Sequence, residues 1–328
     1  DFIVSLSELQ ENMPQALALL EDLLQHAKAD KGAYDQMVEL ILKSRDDAKK
    51  SQGNYYSYLY SYAVAGERNA LRDMMSEQAL KEADPQLFTS LLKGLANYEH
   101  RVIYYGPMGE KEIAALIDQK HVSAKQLAAV PVNKPYLEIP APENEVLIAP
   151  YDAKNIYMRM YHNEGRSWNP EEAAIQEVCN EYFGGGMNGV VFQEMREARG
   201  LAYNAYAYYN RPSWKDRKES VMTHIITQND KMADCITHFN EILNDMPVSE
   251  TAFQIAKEAV AKRLVSSRIT KMGIFNAYLY SERMGLDISY NELIYQHLDK
   301  LRLQDIVDFE KQTMANKAYR YIILGDEK

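Results

Sequence analysis

The chain has 328 residues, 46% of them hydrophobic, enough for a sizeable core and for more than one. Its formal net charge of −10 argues against a general nucleic-acid binder, which would need a basic stripe. No apolar run reaches the ~18 residues of a membrane span. The opening DFIVSL lacks the n-region and cleavage site of a signal peptide, and Cys179 and Cys235 form neither a CxxC nor a disulfide framework.

In chain order, residues 2–7 (FIVSLS) read as a strand. Apolar residues at i, i+3 and i+4 then predict long amphipathic helices over 14–26 and 33–49. A helix carrying YLYS at 58–61 follows, then a shorter one over 85–99 and a strand, RVIYYG, at 101–106. The segment VPVNKPYLEIPAPEN holds Pro131, Pro135, Pro140 and Pro142. Proline at this density cannot continue a helix and marks a stiff, extended boundary.

Beyond it, 146–150 and 156–162 read as strands, the second from the alternation in IYMRMYH. Residues 169–182 read as a helix with Asn169 as N-cap and Pro170 at its first position. Next comes FGGGMNGVVFQEMREARGLAYNAYAYY: a glycine turn, a helix over 188–199 ending at Gly200, and a strand over 201–210. A strand (SVMTHIIT), helices over 232–245 and 250–268, a second YLYS at 278–281, a helix over 303–315 and the strand RYIILG complete the order.

A shift of 219 residues lays the start of the chain on its final third. Leu17, Leu20, Leu23 and Leu24 fall on Ile236, Phe239, Ile242 and Leu243. Leu95, Ala96, Asn97, Arg101 and Gly106 fall on Met314, Ala315, Asn316, Arg320 and Gly325. The expected fold is therefore α+β with two homologous units. Residues 1–130 form the C-terminal part of the first, 131–144 the proline-rich linker, and 145–328 the complete second. About 75 residues of the first unit are expected upstream, from the same alignment.

The three glycines carry no nucleotide signature: no GxGxxG is present and no Lys-Ser or Lys-Thr follows as a P-loop requires. They fit a left-handed helix cap that brings the next backbone close. No metal is expected. His238 with Glu241 resembles half a zinc helix, but Ile242 stands where a second histidine is needed, and His162 reads as a strand-end or turn residue. Arg196 and Tyr203 remain. Seven residues apart across a helix end and a tight turn, they can stand side by side as two donors toward a carbonyl oxygen or an oxyanion. The ordinary reading also stands: an arginine favouring a helix C-terminus and a tyrosine in a strand.

Phe192, Glu194, Met195, Arg196, Leu201, Ala202 and Tyr203 resemble the F-x-E-[LIM]-R-x-x-x-x-L-[AG]-Y segment that follows a glycine turn in the non-catalytic half of pitrilysin- or insulinase-type metallopeptidases. The resemblance runs through the second unit. It implies two pitrilysin-like α/β sandwich units of the LuxS/mitochondrial-processing-peptidase-like fold, the third and fourth domains of a four-domain enzyme. The zinc motif HxxEH of the catalytic half is missing here. The family's halves close as a clamshell, and a zinc-bound water in one half attacks a peptide carbonyl. By resemblance Arg196 and Tyr203 bind that carbonyl and its oxyanion from the opposite side. The implied partners are a zinc-bearing N-terminal half or subunit and a peptide or unfolded substrate, with zinc held elsewhere. A non-catalytic structural subunit is the alternative, and exported and cytosolic settings both stay open.

Overall fold

The computed structural model describes residues 2–325. Two compact units emerge: residues up to Ala48 with Met74–Pro135, and Lys49–Asp73 with the chain from Tyr136 onward.

The first unit is helical: α1 (Met13–His26), α2 (Lys31–Lys49, reaching just past its edge), α4 (Glu77–Glu82), α5 (Pro85–Gly94) and α6 (Glu110–Lys120). Local chemistry sets their ends. Ser76 accepts from the Ala79 amide, and Asp84 accepts from the Gln86 amide with Pro85 at the first turn. Tyr34, Val38 and Leu80 form a small core, and the Tyr34 hydroxyl donates to the Leu80 carbonyl at 2.7 Å. The expected strands at 2–7 and 101–106 do not form. A strand must share its backbone donors and acceptors with a neighbour, and none of the described residues supplies one. Their apolar side chains stay exposed, Phe2 at 69% and Val102 at 52%.

The second unit is built on a mixed five-stranded sheet of order β1-β5-β2-β4-β3. Its strands are β1 (Glu145–Pro150), β2 (Asn155–His162), β3 (Asn204–Asn210), β4 (Ser220–Gln228) and β5 (Arg320–Gly325). Only β1 and β5 run parallel. Alternation splits each strand between two faces. Ile156, Met158 and Met160 of β2 enter the large core with Ala205, Ala207, Val221 and Ile225. Phe239 of α9 (Met232–Asn244), Phe253 and Val260 of α10 (Glu250–Ser266), and Phe309 of α13 (Leu303–Thr313) close that core. Between the last two lie α11 (Met272–Met284) and α12 (Tyr290–Leu298).

The other face receives α3 (Gln52–Ala65), which the sequence places far from this sheet. Tyr56 and Ala63 pack on Tyr161, Ile322 and Leu324, and the Tyr56 hydroxyl donates to the Ile322 carbonyl at 3.1 Å. Helical periodicity predicts α3 itself. It carries no information about which sheet α3 covers.

Glu310 of α13 is 1% exposed, and its Oε1 has no hydrogen-bond partner. Burial, outweighing Lys311, pushes its carboxyl from 4.5 to about 7. A carboxyl raised in the folded state contributes stability in full below about 4.5, and loses it as pH rises through about 7. Glu310→Gln should therefore be the more stable protein above pH 7, by up to about 3 kcal/mol. Its melting temperature should fall less than that of the wild type between pH 5 and pH 8. Parallel melting curves for the two proteins would contradict this.

Candidate functional site

The glycine turn is shaped by what it rests against. Asn169 caps the incoming helix by accepting from the Glu171 amide, and Pro170 opens its first turn. The helix continues as α7 (Ala173–Cys179) and widens to π-helical geometry over Asn180–Gly184. Asn180 then staples this segment to the edge strand β3. Its amide Nδ2 donates to the Tyr209 carbonyl at 3.0 Å, and its Oδ1 accepts from the Tyr209 amide at 2.7 Å. At Gly184 a Cβ would lie 1.8 Å from the Ala207 carbonyl oxygen, so only glycine lets the two backbones meet. Gly186 supplies the reversal, at φ +69°.

The chain leaves the turn as α8 (Val190–Phe192), which runs on with π-helical geometry over Gln193–Ala198. Val190, Val191 and Met195 are buried, which turns Arg196 outward. Gly200, at φ +57°, ends the helix, and its amide donates to the Arg196 carbonyl at 3.0 Å. Several bonds pin the exit. The Leu201 amide donates to the Met195 carbonyl, Thr227 Oγ1 donates to the Leu201 carbonyl at 2.6 Å, and Lys231 Nζ donates to the Gly200 carbonyl at 2.9 Å. The Tyr203 amide joins the sheet through Ile226 at 2.8 Å, one residue before β3 begins.

This places the two sequence-predicted site residues together. The Arg196 guanidinium carbon lies 5.9 Å from the Tyr203 ring centroid and 4.9 Å from that of Phe192. Both side chains face out, Tyr203 at 77% exposure, and its hydroxyl has no hydrogen-bond partner among the described residues. Among the described residues, the one carboxylate paired with Arg196 is that of Glu197, at a loose 3.7 Å. Two donors thus stand on a pinned backbone with little to occupy them.

Sequence reasoning did not find what supports them. Asn180 has no local signature, because its partner is twenty-nine residues away. Nor did it find the buried network behind β3. Arg166 pairs with Glu219 at 2.5 Å and with Glu172, while the Tyr209 hydroxyl and Gln176 both donate to Glu219. Burial outweighs the Arg166 guanidinium and pushes the Glu219 carboxyl up. Beside the turn an open recess of about 600 Å³ is lined by Glu177, Glu181, Gly185, Gly186, Arg211 and Arg263. Its charges satisfy one another: Glu177 takes both arginines, and Arg263 also reaches Glu181.

No three His, Cys, Asp or Glu side chains gather to hold a metal among the described residues. His238 bonds Glu241 on a helix face, and His162 Nδ1 faces the Ala318 carbonyl at the end of β2. Cys179 and Cys235 are buried and free, and burial pushes the Cys179 thiol up. The residues present do not fit a zinc ion. No helix is long and apolar enough to cross a membrane among the described residues.

Fold and site together give an α+β domain with two outward donors and no metal-ligating cluster among the described residues. Residues 101–260 match the family described as the peptidase M16 inactive domain. Over 170 residues, 49% of this chain and 36% of the relative, the sequence is 25% identical to an uncharacterized zinc protease of Mycobacterium leprae. The chain thus matches about a third of that relative's length. A peptidase M16 inactive domain from Pseudomonas fluorescens shares the fold, with a TM-score of 0.72 at 15% identity, over 97% of this chain and 76% of that one. So does a mutant of the ferredoxin protease FusC solved with Arabidopsis ferredoxin, with a TM-score of 0.74 at 11% identity, over 97% and 35%. The chain is thus similar to the inactive domain of M16 peptidases, over just under half of its length in sequence and over nearly all of it in fold.

Proposed function

We propose that this chain is the half of an M16 metalloendopeptidase that binds no zinc and forms the substrate-binding wall of a clamshell chamber. In this reading Arg196 and Tyr203 donate to the scissile carbonyl oxygen, and to the oxyanion that develops there, while hydrolysis is performed by residues of the other half. The observation that carries it is the pair itself, two outward side chains with the Arg196 guanidinium carbon 5.9 Å from the Tyr203 ring centroid, on a backbone pinned by Gly184, Gly200 and Thr227. Donors fixed before the reaction need not reorganise as charge develops, which makes them effective in an oxyanion site. The substrate class is a peptide or unfolded segment, and the partner is the zinc-bearing half or subunit. The ferredoxin complex of the structural relative is in keeping with a protein substrate.

The same reading takes residues 1–130 as the C-terminal part of a first pitrilysin-like domain, 131–144 as a linker and 145–328 as a complete second domain. Helix starts support the duplication: Met13 and Met232, and Lys31 and Glu250, are each separated by the 219-residue shift of the sequence repeat.

Alone, the chain should bind no stoichiometric zinc and hydrolyse no peptide, because a catalytic zinc takes three protein ligands, and no such group gathers among the described residues. Elemental analysis and a peptidase assay on protein freed of chelator test this. One zinc per chain with hydrolysis would overturn the assignment.

A further inference from the structure

The face of the sheet that receives α3 carries a cross-strand row that the Arg196–Tyr203 site does not use. Tyr206 of β3 pairs with His224 of β4. The β2–β4 register, with Tyr157 against Ile226 and Tyr161 against Met222, sets Arg159 across from the same histidine. Arg159, His224 and Tyr206 therefore stand side by side on three adjacent strands. Tyrosine rings wall the row. The Arg159 guanidinium carbon lies 4.4 Å from the Tyr60 centroid and 5.2 Å from that of Tyr56, while the His224 ring lies 4.9 Å from Tyr206.

The row is rich in donors and poor in acceptors. Arg159 is half-buried, yet its side chain forms no ion pair and no hydrogen bond among the described residues, and its Nε is fully buried without a partner. The hydroxyls of Tyr60, Tyr157 and Tyr206 likewise have no partner there. Glu138, the carboxylate whose field reaches Tyr60 and Tyr161, is already held by Arg217 at 3.4 Å. His224 is 7% exposed with an unpartnered Nδ1, and burial followed by Arg159 lowers its pKa to about 4. It is neutral near pH 7, so Arg159 supplies the charge. Two other arginines of this unit are matched, Arg166 with Glu172 and Glu219 and Arg320 with Glu145, while Arg283, whose Nε is likewise buried without a partner, lies on the Trp214 ring. A half-desolvated guanidinium on aromatic rings, with no counter-ion, is a poor structural device and a good anion receptor.

We propose that Arg159, with the Tyr60 ring against its guanidinium and Tyr206 across His224 in the same row, is a receptor for the carboxylate of an acidic peptide segment. The planar fork of Arg159 accepts a carboxylate side-on, and the tyrosine rings offer apolar area to the residues flanking it. This deepens the reading of the chain as a peptide-binding half, and rests on it only for the ligand being a peptide. The carboxylate can be a Glu or Asp side chain or the peptide's C-terminus.

Calorimetric titration of the purified chain with short synthetic peptides alternating phenylalanine and glutamate tests the site. One peptide is amidated at its C-terminus. A second has glutamine for glutamate and a free C-terminal carboxylate, and a third has neither carboxylate. Binding of the first alone assigns the site to side chains, and of the second alone to chain termini. The third should bind neither strongly nor with salt dependence. Arg159→Gln should weaken the carboxylate-bearing peptide roughly 10–100-fold, and Arg159→Lys less. Should Arg159→Gln fail to fold, Tyr206→Phe keeps the ring and removes one donor, and a several-fold loss is expected. Equal binding of all three peptides, no binding of any, or unchanged binding in a folded Arg159→Gln or Tyr206→Phe protein would overturn the proposal. None of these outcomes bears on hydrolysis, since no zinc-bearing half is present in the cell.

Discussion

Tyr203→Phe should cut turnover of the assembled enzyme ~10²–10³-fold, the usual loss for one oxyanion donor, with folding nearly unchanged. The hydroxyl is exposed and has no partner among the described residues, so its removal leaves no buried group unsatisfied. Stability should stay within about 0.5 kcal/mol, as for most surface substitutions. Arg196→Ala should lower both kcat and the apparent affinity, because a guanidinium placed on a substrate carbonyl acts before and during the reaction. An ordinary structural role predicts the opposite pattern: a lower melting temperature, with the rate per folded molecule preserved. Steady-state kinetics paired with thermal melts separate the two.

Gly184→Ala should be the most damaging single methyl group in the site. Its Cβ would lie 1.8 Å from the Ala207 carbonyl oxygen and 2.9 Å from the Ala207 Cα, and both are backbone atoms of β3. No side chain can swing aside, so the π-helical turn must lift from the strand edge and strain the two Asn180 bonds to Tyr209. Destabilisation of ~3 kcal/mol or more is expected, at the upper end of overpacking costs. Gly186→Ala should cost only about 1–2 kcal/mol, since its penalty is the left-handed φ of +69°. Gly53→Ala is the control. Nothing lies within 4 Å of its would-be Cβ, inside α3, so the change should be neutral or slightly stabilising. Chemical denaturation of the three variants gives the order directly. A Gly184→Ala protein as stable as wild type would mean that the close approach does not set the turn.

What the sequence revealed follows the range of the signals. Helices α1, α2, α9 and α10, and strands β2, β4 and β5, are encoded in local periodicity, and they lie where that periodicity puts them. The glycine turn and the Arg196–Tyr203 spacing are local too. A helix end, one left-handed glycine and a pinned exit are enough to bring the two side chains together. Residues 2–7 and 101–106 have the composition of strands, but pairing is a property of two segments, and composition describes one. The same limit hid the seat of α3 on the second unit's sheet. It hid Asn180, whose partner is on β3, and the Arg159–His224–Tyr206 row, which exists only through the register of three strands.

The central claim is that this chain completes an active site whose metal chemistry lies elsewhere. Titrating it into the separately purified zinc-bearing half, while following cleavage of an unfolded protein, tests that claim most directly. The account predicts that neither component cleaves alone and that activity rises to saturation at equimolar mixing. The Tyr203→Phe chain should compete for the same partner without restoring turnover. A zinc-bearing half that is fully active alone, or one whose activity the Tyr203→Phe chain restores in full, would contradict it.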